Sequence, residues 1–164
     1  MYDTRSIQYD GLPMSHFQFH SEPLQDAWLD IYGHLNEAYY LVPFTNATFR
    51  MQDHFGLGDD YFRETGCAMY TVETHLRYLS DVRPPAELAV ETQILGLDAK
   101  RLWFAHLLVV DGSLRATGEF MVLHYDTRAE RTSVMPDTTI AMLEEAVVAE
   151  QPDWVGRQIS LKKR

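Results

Sequence analysis

A chain of 164 residues with 24 acidic and 14 basic side chains carries a formal net charge of −10, which excludes the Lys- and Arg-rich surface that nucleic-acid binding needs to neutralise phosphates. The length suits one domain, spanning 1–164, with a core large enough to dispense with disulfides. Its single cysteine, Cys67, excludes an internal disulfide and a cysteine-built zinc cluster, which fits a cytoplasmic, reducing home.

The N-terminus, Met1 to Tyr9, is too polar for a signal peptide, and no apolar run approaches the roughly 20 residues that cross a bilayer, so no membrane partner is expected. From His16 to Trp28 the chain reads as a first strand, with Phe17 and Phe19 alternating against polar neighbours and Pro23 marking an edge or irregularity. A long helix then opens. Asn36 suits its N-cap and Glu37 the positive end of its macrodipole. Leu41, Phe44, Thr48, Met51 and Phe55 form one stripe at spacings of three and four, until Gly56 can stop the helix in the left-handed conformation. Pro43 predicts a kink, or a first turn offset from the rest.

Asp59 to Thr65 reads as a short helix ended by Gly66. Four strand-like runs follow: Cys67 to Leu79, Leu88 to Leu97, Leu102 to Val110 and Leu114 to Tyr125. Arg83-Pro84-Pro85, Asp98-Ala99-Lys100 and the hairpin pair Asp111-Gly112 separate them, and the spacing predicts an antiparallel meander. Pro136-Asp137 introduces a closing helix, about 136–149, before a polar tail ending in Lys162-Lys163-Arg164. One long helix followed by antiparallel strands predicts an α+β fold whose sheet wraps its concave face around the helix. The free edge of such a sheet is commonly covered by subunit pairing, so a homodimer or homotetramer is expected.

The stretch Trp28-Leu29-Asp30-Ile31-Tyr32-Gly33-His34-Leu35-Asn36-Glu37-Ala38-Tyr39-Tyr40 sets a carboxylate and an imidazole on a glycine turn that the helix N-terminus faces. First-turn amides suit a negative oxygen, and an acid beside them can serve as nucleophile or as general base on water. Residue types alone leave open that Asp30 is a plain turn carboxylate and Asn36 a plain cap. His34 equally suits a main-chain hydrogen bond or a substrate contact. His16, His20, His54, His75, His106 and His124 show no metal-ligand spacing, so they read as core or surface residues and no metal is expected.

The order of elements and the run Asp30-x-x-Gly33-His34-x-Asn36, followed by tyrosines and an apolar helix, resemble the hotdog-fold acyl-CoA thioesterases of the 4-hydroxybenzoyl-CoA thioesterase type, from about His16 to Pro136. Tyr78-Leu79-Ser80-Asp81-Val82-Arg83-Pro84 resembles that family's strand end and loop, Lys100-Arg101-Leu102-Trp103-Phe104 its basic entry to a middle strand, and Leu123-His124-Tyr125-Asp126 its final strand. The resemblance implies a hotdog fold and thioester hydrolysis. Asp30 would be the catalytic carboxylate, the Glu37 amide a donor to the carbonyl oxygen, Asn36 an organiser of the loop and His34 a neighbouring group. Lys100 and Arg101 would meet coenzyme A phosphates, although a plain solvated turn is the other reading of that pair. Coenzyme A would enter as part of the substrate, with no separate cofactor. One departure stands out: Trp28 occupies the place where the family often has a second acid.

Asp26 to Phe44 is most similar to the betainyl-CoA thioesterases of carnitine breakdown. Trp28, Tyr32, Tyr39, Tyr40 and Phe44 are aromatic, with Tyr70 as a further wall, and a trimethylammonium group held over such rings gains about 0.5–2 kcal/mol per contact. The same rings also suit a core. Two competing functions are a thioesterase for an uncharged aliphatic or aromatic acyl-CoA and a hotdog dimer that binds acyl-CoA without turnover. A dehydratase is the less attractive reading, because the sequence shows no local His and acid pair resembling that branch's motif.

Overall fold

A computed structural model describes residues 17–156 together with Ile159 and Leu161. The expectations for Met1 to Tyr9, for His16 and for Lys162-Lys163-Arg164 lie outside them. Strand β1 (Phe17–Pro23) leads through a short 3-10 turn, Asp26–Trp28, to the central helix. The first strand thus stops five residues before Trp28. Pro23 is its last residue, on an edge strand, where a missing amide costs the ladder nothing.

The central helix has the offset first turn that Pro43 permits. A 3-10 turn, Glu37–Tyr40, precedes helix α1 (Leu41–His54), so Pro43 falls in the first α-helical turn, where an amide has no intrahelical acceptor. Phe44, Thr48, Met51 and Phe55 are buried as the stripe predicts, joined by Ala47, whereas Leu41 lies on the exposed side. Gly56, at φ +74°, ends the helix, and the Leu57 amide donates back to Gln52 O at 2.8 Å. Helix α2 (Asp59–Thr65) ends at Gly66, φ +76°.

Strands β2 (Cys67–Tyr78), β3 (Glu87–Leu97), β4 (Arg101–Val110) and β5 (Ser113–Asp126) follow the predicted runs, with the short β6 (Arg131–Thr132) after them. Asp111 and Gly112, at φ 50° and 72°, turn β4 into β5. The order across the sheet is β1-β3-β4-β5-β2, with β6 beside β5. Only β3-β4-β5 is a meander: β2 crosses the sheet to pair with β5, so the simple four-strand meander is corrected. The closing helix α3 (Asp137–Ala146) is shorter than expected because Val147 turns extended and bridges to Ile94.

The concave face packs Phe104, Phe120, Leu88, Val90 and Leu108 against α1. Burying a ring such as Phe44, fully shielded, contributes about 1.5–3 kcal/mol. Gly118 makes room for it: a Cβ there would lie 2.6 Å from the Phe120 ring and 3.0 Å from that of Phe44. His106 is the polar member of this core. Its Nε2 lies 2.9 Å from Thr48 Oγ1 on the helix and its Nδ1 2.9 Å from Thr92 Oγ1 on β3. Thr48 also donates to Phe44 O, so its oxygen accepts from Nε2-H and the Thr92 hydroxyl donates to Nδ1. The imidazole is therefore neutral, and burial lowers its pKa to about 3.

Across the outer face runs the segment after α3. Val148 N donates to Ile94 O, Trp154 and Val155 pack on Leu95 and Ala105, and the Glu119 carboxylate accepts from Trp103 Nε1 and Gly156 N, both at 2.9 Å.

Candidate active site

The chain between Trp28 and Asn36 folds into a tight hairpin-like loop. Asp30 N donates to His34 O and Asn36 N to Trp28 O, both at 2.9 Å, and Leu29 bridges Leu35. An Asp at the first position and a glycine with positive φ at the fourth suit this turn, and Gly33 sits at φ +74°. The Asp30 carboxylate folds over it: Oδ1 accepts from the Tyr32 amide at 2.8 Å and the His34 amide at 3.2 Å. That leaves Oδ2 without a main-chain partner inside the turn. Leu35 N then donates to Val82 O at 2.9 Å, pinning the loop against the segment that leaves β2.

These two segments and the start of the central helix enclose a cleft of about 360 Å³, whose polar lining includes Asp30, His34, Glu37, Tyr40, Tyr78 and Asp81. A larger hollow of about 610 Å³ lies on the outer face, against Trp103 and Glu119. Glu73, His75 and Glu119 also line it, and the Glu119 carboxylate is committed to Trp103 and Gly156. The smaller cleft brings Asp30 and His34 of the turn together with Glu37, the first residue of the 3-10 turn that opens the central helix.

Asn36 Oδ1 accepts from Ala38 N at 3.0 Å and so caps the 3-10 turn. Glu37, the first residue of that turn, has an amide that no preceding helical carbonyl can reach. His34 Nε2 is buried without a well-directed hydrogen bond; its nearest acid oxygen is Asp81 Oδ2 at 3.4 Å. Asp81 is held ionised well below the usual carboxylate range, first by its hydrogen bond from Arg83 Nε at 2.9 Å. Tyr40 is buried, and its hydroxyl pKa is raised by that burial and then by the charges of Asp81, Tyr78 and Asp30, with Arg115 opposing. Tyr78 packs edge-on against Tyr40, centroids 5.0 Å apart at 74°, and its hydroxyl donates to Glu37 O at 3.3 Å.

Of the residues singled out from sequence, Asp30, His34, Glu37 and Tyr40 meet in this cleft, with Asn36 behind them as cap. The expected crowd of rings does not. Trp28 is buried with its ring stacked on Tyr39 at 6.1 Å, Phe44 is core, and Tyr32 stands 72% exposed at the turn tip, contributing its amide to Asp30. Aromatic residues near the helix are drawn into the core by the area they bury. Tyr70 stacks on Tyr125 at the other end of β2: Tyr70 pairs with Leu123, while Tyr78 pairs with Ala116. Arg101 also pairs with Leu123, so the Lys100-Arg101 turn lies at that far end and lines no part of the cleft within one chain. Arg101 is tied to Asp98 by Nε at 2.7 Å. Tyr78 and Asp81 also line the cleft, and the sequence signals them only through the likeness of Tyr78-Leu79-Ser80-Asp81 to a family strand end.

The model of the thioesterase-like superfamily matches residues 24–151. The chain is 35% identical over 145 residues to the betainyl-CoA thioesterase of Pseudomonas aeruginosa, covering 85% of this chain and 91% of that one. It is 41% identical over 153 residues to the L-carnitine dehydrogenase/betainyl-CoA thioesterase of Agrobacterium fabrum, covering 89% of this chain but spanning only 31% of the length of that relative. Among solved structures, a hypothetical Staphylococcus aureus protein in complex with CoA superposes with a TM-score of 0.81 at 23% identity, covering 93% of this chain and 100% of that one. At that identity the likeness is one of fold.

Proposed function

Because the chain belongs to the thioesterase-like superfamily, we propose that it hydrolyses an acyl-CoA thioester, betainyl-CoA, with Asp30 as the acting carboxylate. The observation that carries this reading is the cleft in which Asp30, with Oδ1 held by two amides, shares its walls with Glu37 at the start of the central helix. The thioester carbonyl oxygen points at the Glu37 amide, which meets the negative charge that develops as the carbonyl carbon becomes tetrahedral. A preorganised donor of this kind is worth about 3–4 kcal/mol of barrier. Asp30 Oδ2 takes the proton of an attacking water, or attacks the carbon itself and is later released by water. In either course an oxygen bonds to the carbonyl carbon, the carbon–sulfur bond breaks with its electron pair on sulfur, and the thiolate takes up a proton as coenzyme A leaves. Asn36 keeps the donor turn in place, and His34 lies beside the leaving group.

A twofold partner completes the site in this reading. Strand β2 is a 12-residue edge strand, with Tyr70 and Val72 about half exposed, and a long exposed edge of this kind invites pairing. Antiparallel pairing of two β2 strands brings the Tyr70 and Lys100-Arg101 end of one copy to the Tyr78 end of the other, where those cations can meet the phosphates of coenzyme A. The test is thiol release from betainyl-CoA beside neutral acyl-CoAs of similar size. Preferential cleavage of betainyl-CoA that is lost in Asp30→Asn supports the proposal, and equal turnover by the variant removes Asp30 from the chemistry.

A further inference from the structure

In a betainyl group one methylene separates the trimethylammonium from the carbonyl carbon. The seat for the cation must therefore border the same cleft as Asp30, which excludes buried Trp28 and the outward-facing ring of Tyr32. Tyr78 meets that requirement. Its ring lines the cleft, is 48% exposed in the chain, and is held by a T-shaped contact with buried Tyr40 and by the hydrogen bond from its hydroxyl to Glu37 O. A fixed ring offers a cation its face without losing rotamer freedom on binding. The surrounding charge agrees with this. Asp30, Glu37 and Asp81 share the cleft, while Arg83 is turned onto Asp81 and Arg115 onto Ser80 Oγ at 3.2 Å. Because Arg83 offsets Asp81, the selective contact falls to the ring and the acids supply background field.

We propose that Tyr78, braced by Tyr40, is the seat for a quaternary ammonium and sets the preference for a cationic over a neutral acyl group; this rests on the thioesterase reading above. The probe is a pair of esters of the same shape, betainyl-CoA and 3,3-dimethylbutyryl-CoA, in which carbon replaces the charged nitrogen. Their ratio of kcat/KM isolates the charge. Tyr78→Phe keeps the ring and is expected to keep most of the ratio, whereas Tyr78→Leu lowers it by about three- to thirty-fold. Replacing Tyr78 by increasingly fluorinated phenylalanines drains the ring face without changing its size, and should lower the ratio stepwise even where the leucine variant fails to fold. A ratio that stays constant through both series, or esters that decline together, overturns the proposal. A wild-type protein that cleaves neither ester sinks the thioesterase reading instead. The affinity ratio of the two esters by calorimetry, on wild type and Tyr78→Leu, then decides the seat by the same criterion.

Discussion

Two histidines mark two regions built to opposite rules. His106, fully buried in the core, has both ring nitrogens matched, one to Thr48 on the helix and one to Thr92 on the sheet. His34, at the cleft, keeps a buried Nε2 with no well-directed hydrogen bond and an acid 3.4 Å away. In the interior a missing partner costs about 1–3 kcal/mol, and the fold matches both nitrogens of this ring. At the cleft the same cost is tolerated, along with an Asp30 oxygen that the turn leaves unused, and in the proposed reading a ligand would complete those groups. The comparison teaches where to look for chemistry: polar atoms left incomplete beside an opening, backed by neighbours that are complete.

The largest effect should come from the incomplete region. Asp30→Asn keeps an oxygen to accept from the Tyr32 and His34 amides, so the turn survives, yet the side chain no longer acts as base or nucleophile. Turnover should fall about 100- to 10,000-fold with a smaller change in KM, measured by thiol release. A loss confined to KM would place Asp30 among binding groups only.

Next in size is the complete region. His106→Leu strips the Thr48 and Thr92 hydroxyls of their shared partner and should cost about 1–3 kcal/mol in urea unfolding, with no altered preference among acyl groups in the protein that remains folded. His106 also sets a pH dependence. Its folded pKa, lowered by burial to about 3, lies below the usual 6.5. Between these values the unfolded chain takes up a proton that the folded chain refuses. Stability should therefore be complete above pH 6.5 and decline as pH falls toward 3, by up to about 1.4 kcal/mol per pH unit. Urea midpoints at pH 7 and 4.5 should separate less in His106→Gln than in the parent; an equal separation would mean that other groups carry the acid response.

The smallest effect belongs to the far end of the sheet. Lys100→Ala should raise KM for acyl-CoA a few-fold at low salt and less at high salt. Arg101, already tied to Asp98, should matter less. A response to Lys100 in a chain shown to be monomeric would break the twofold reading, since the turn lines no part of its own cleft.

What could be read along the chain was what is decided by near neighbours. Gly56, Gly66 and Asp111-Gly112 end or turn their elements because their backbone angles are local necessities. Asp30, His34, Asn36 and Glu37 were visible together because one loop carries them all. The crossing of β2 past β3 to reach β5 was not visible, since alternation marks a strand without naming its partner. Tyr78 and Asp81 were hidden as site residues for the same reason. They reach the cleft through the Leu35–Val82 hydrogen bond, which joins segments far apart in sequence. Trp28 and Phe44 misled because an aromatic ring beside a reactive loop has the same spelling whether it faces a ligand or the interior.

The outer-face segment anchored on Glu119 gives the protein a built-in optical division. Trp154 belongs to it and Trp103 of β4 lies in the same outer-face cluster, whereas Trp28 lies stacked on Tyr39 beside the Asp30 loop. Fluorescence from a variant retaining Trp28 alone thus reports the packing behind the Asp30 loop, and emission from the other two indoles the outer face, so unfolding of the two regions can be watched separately in one cuvette.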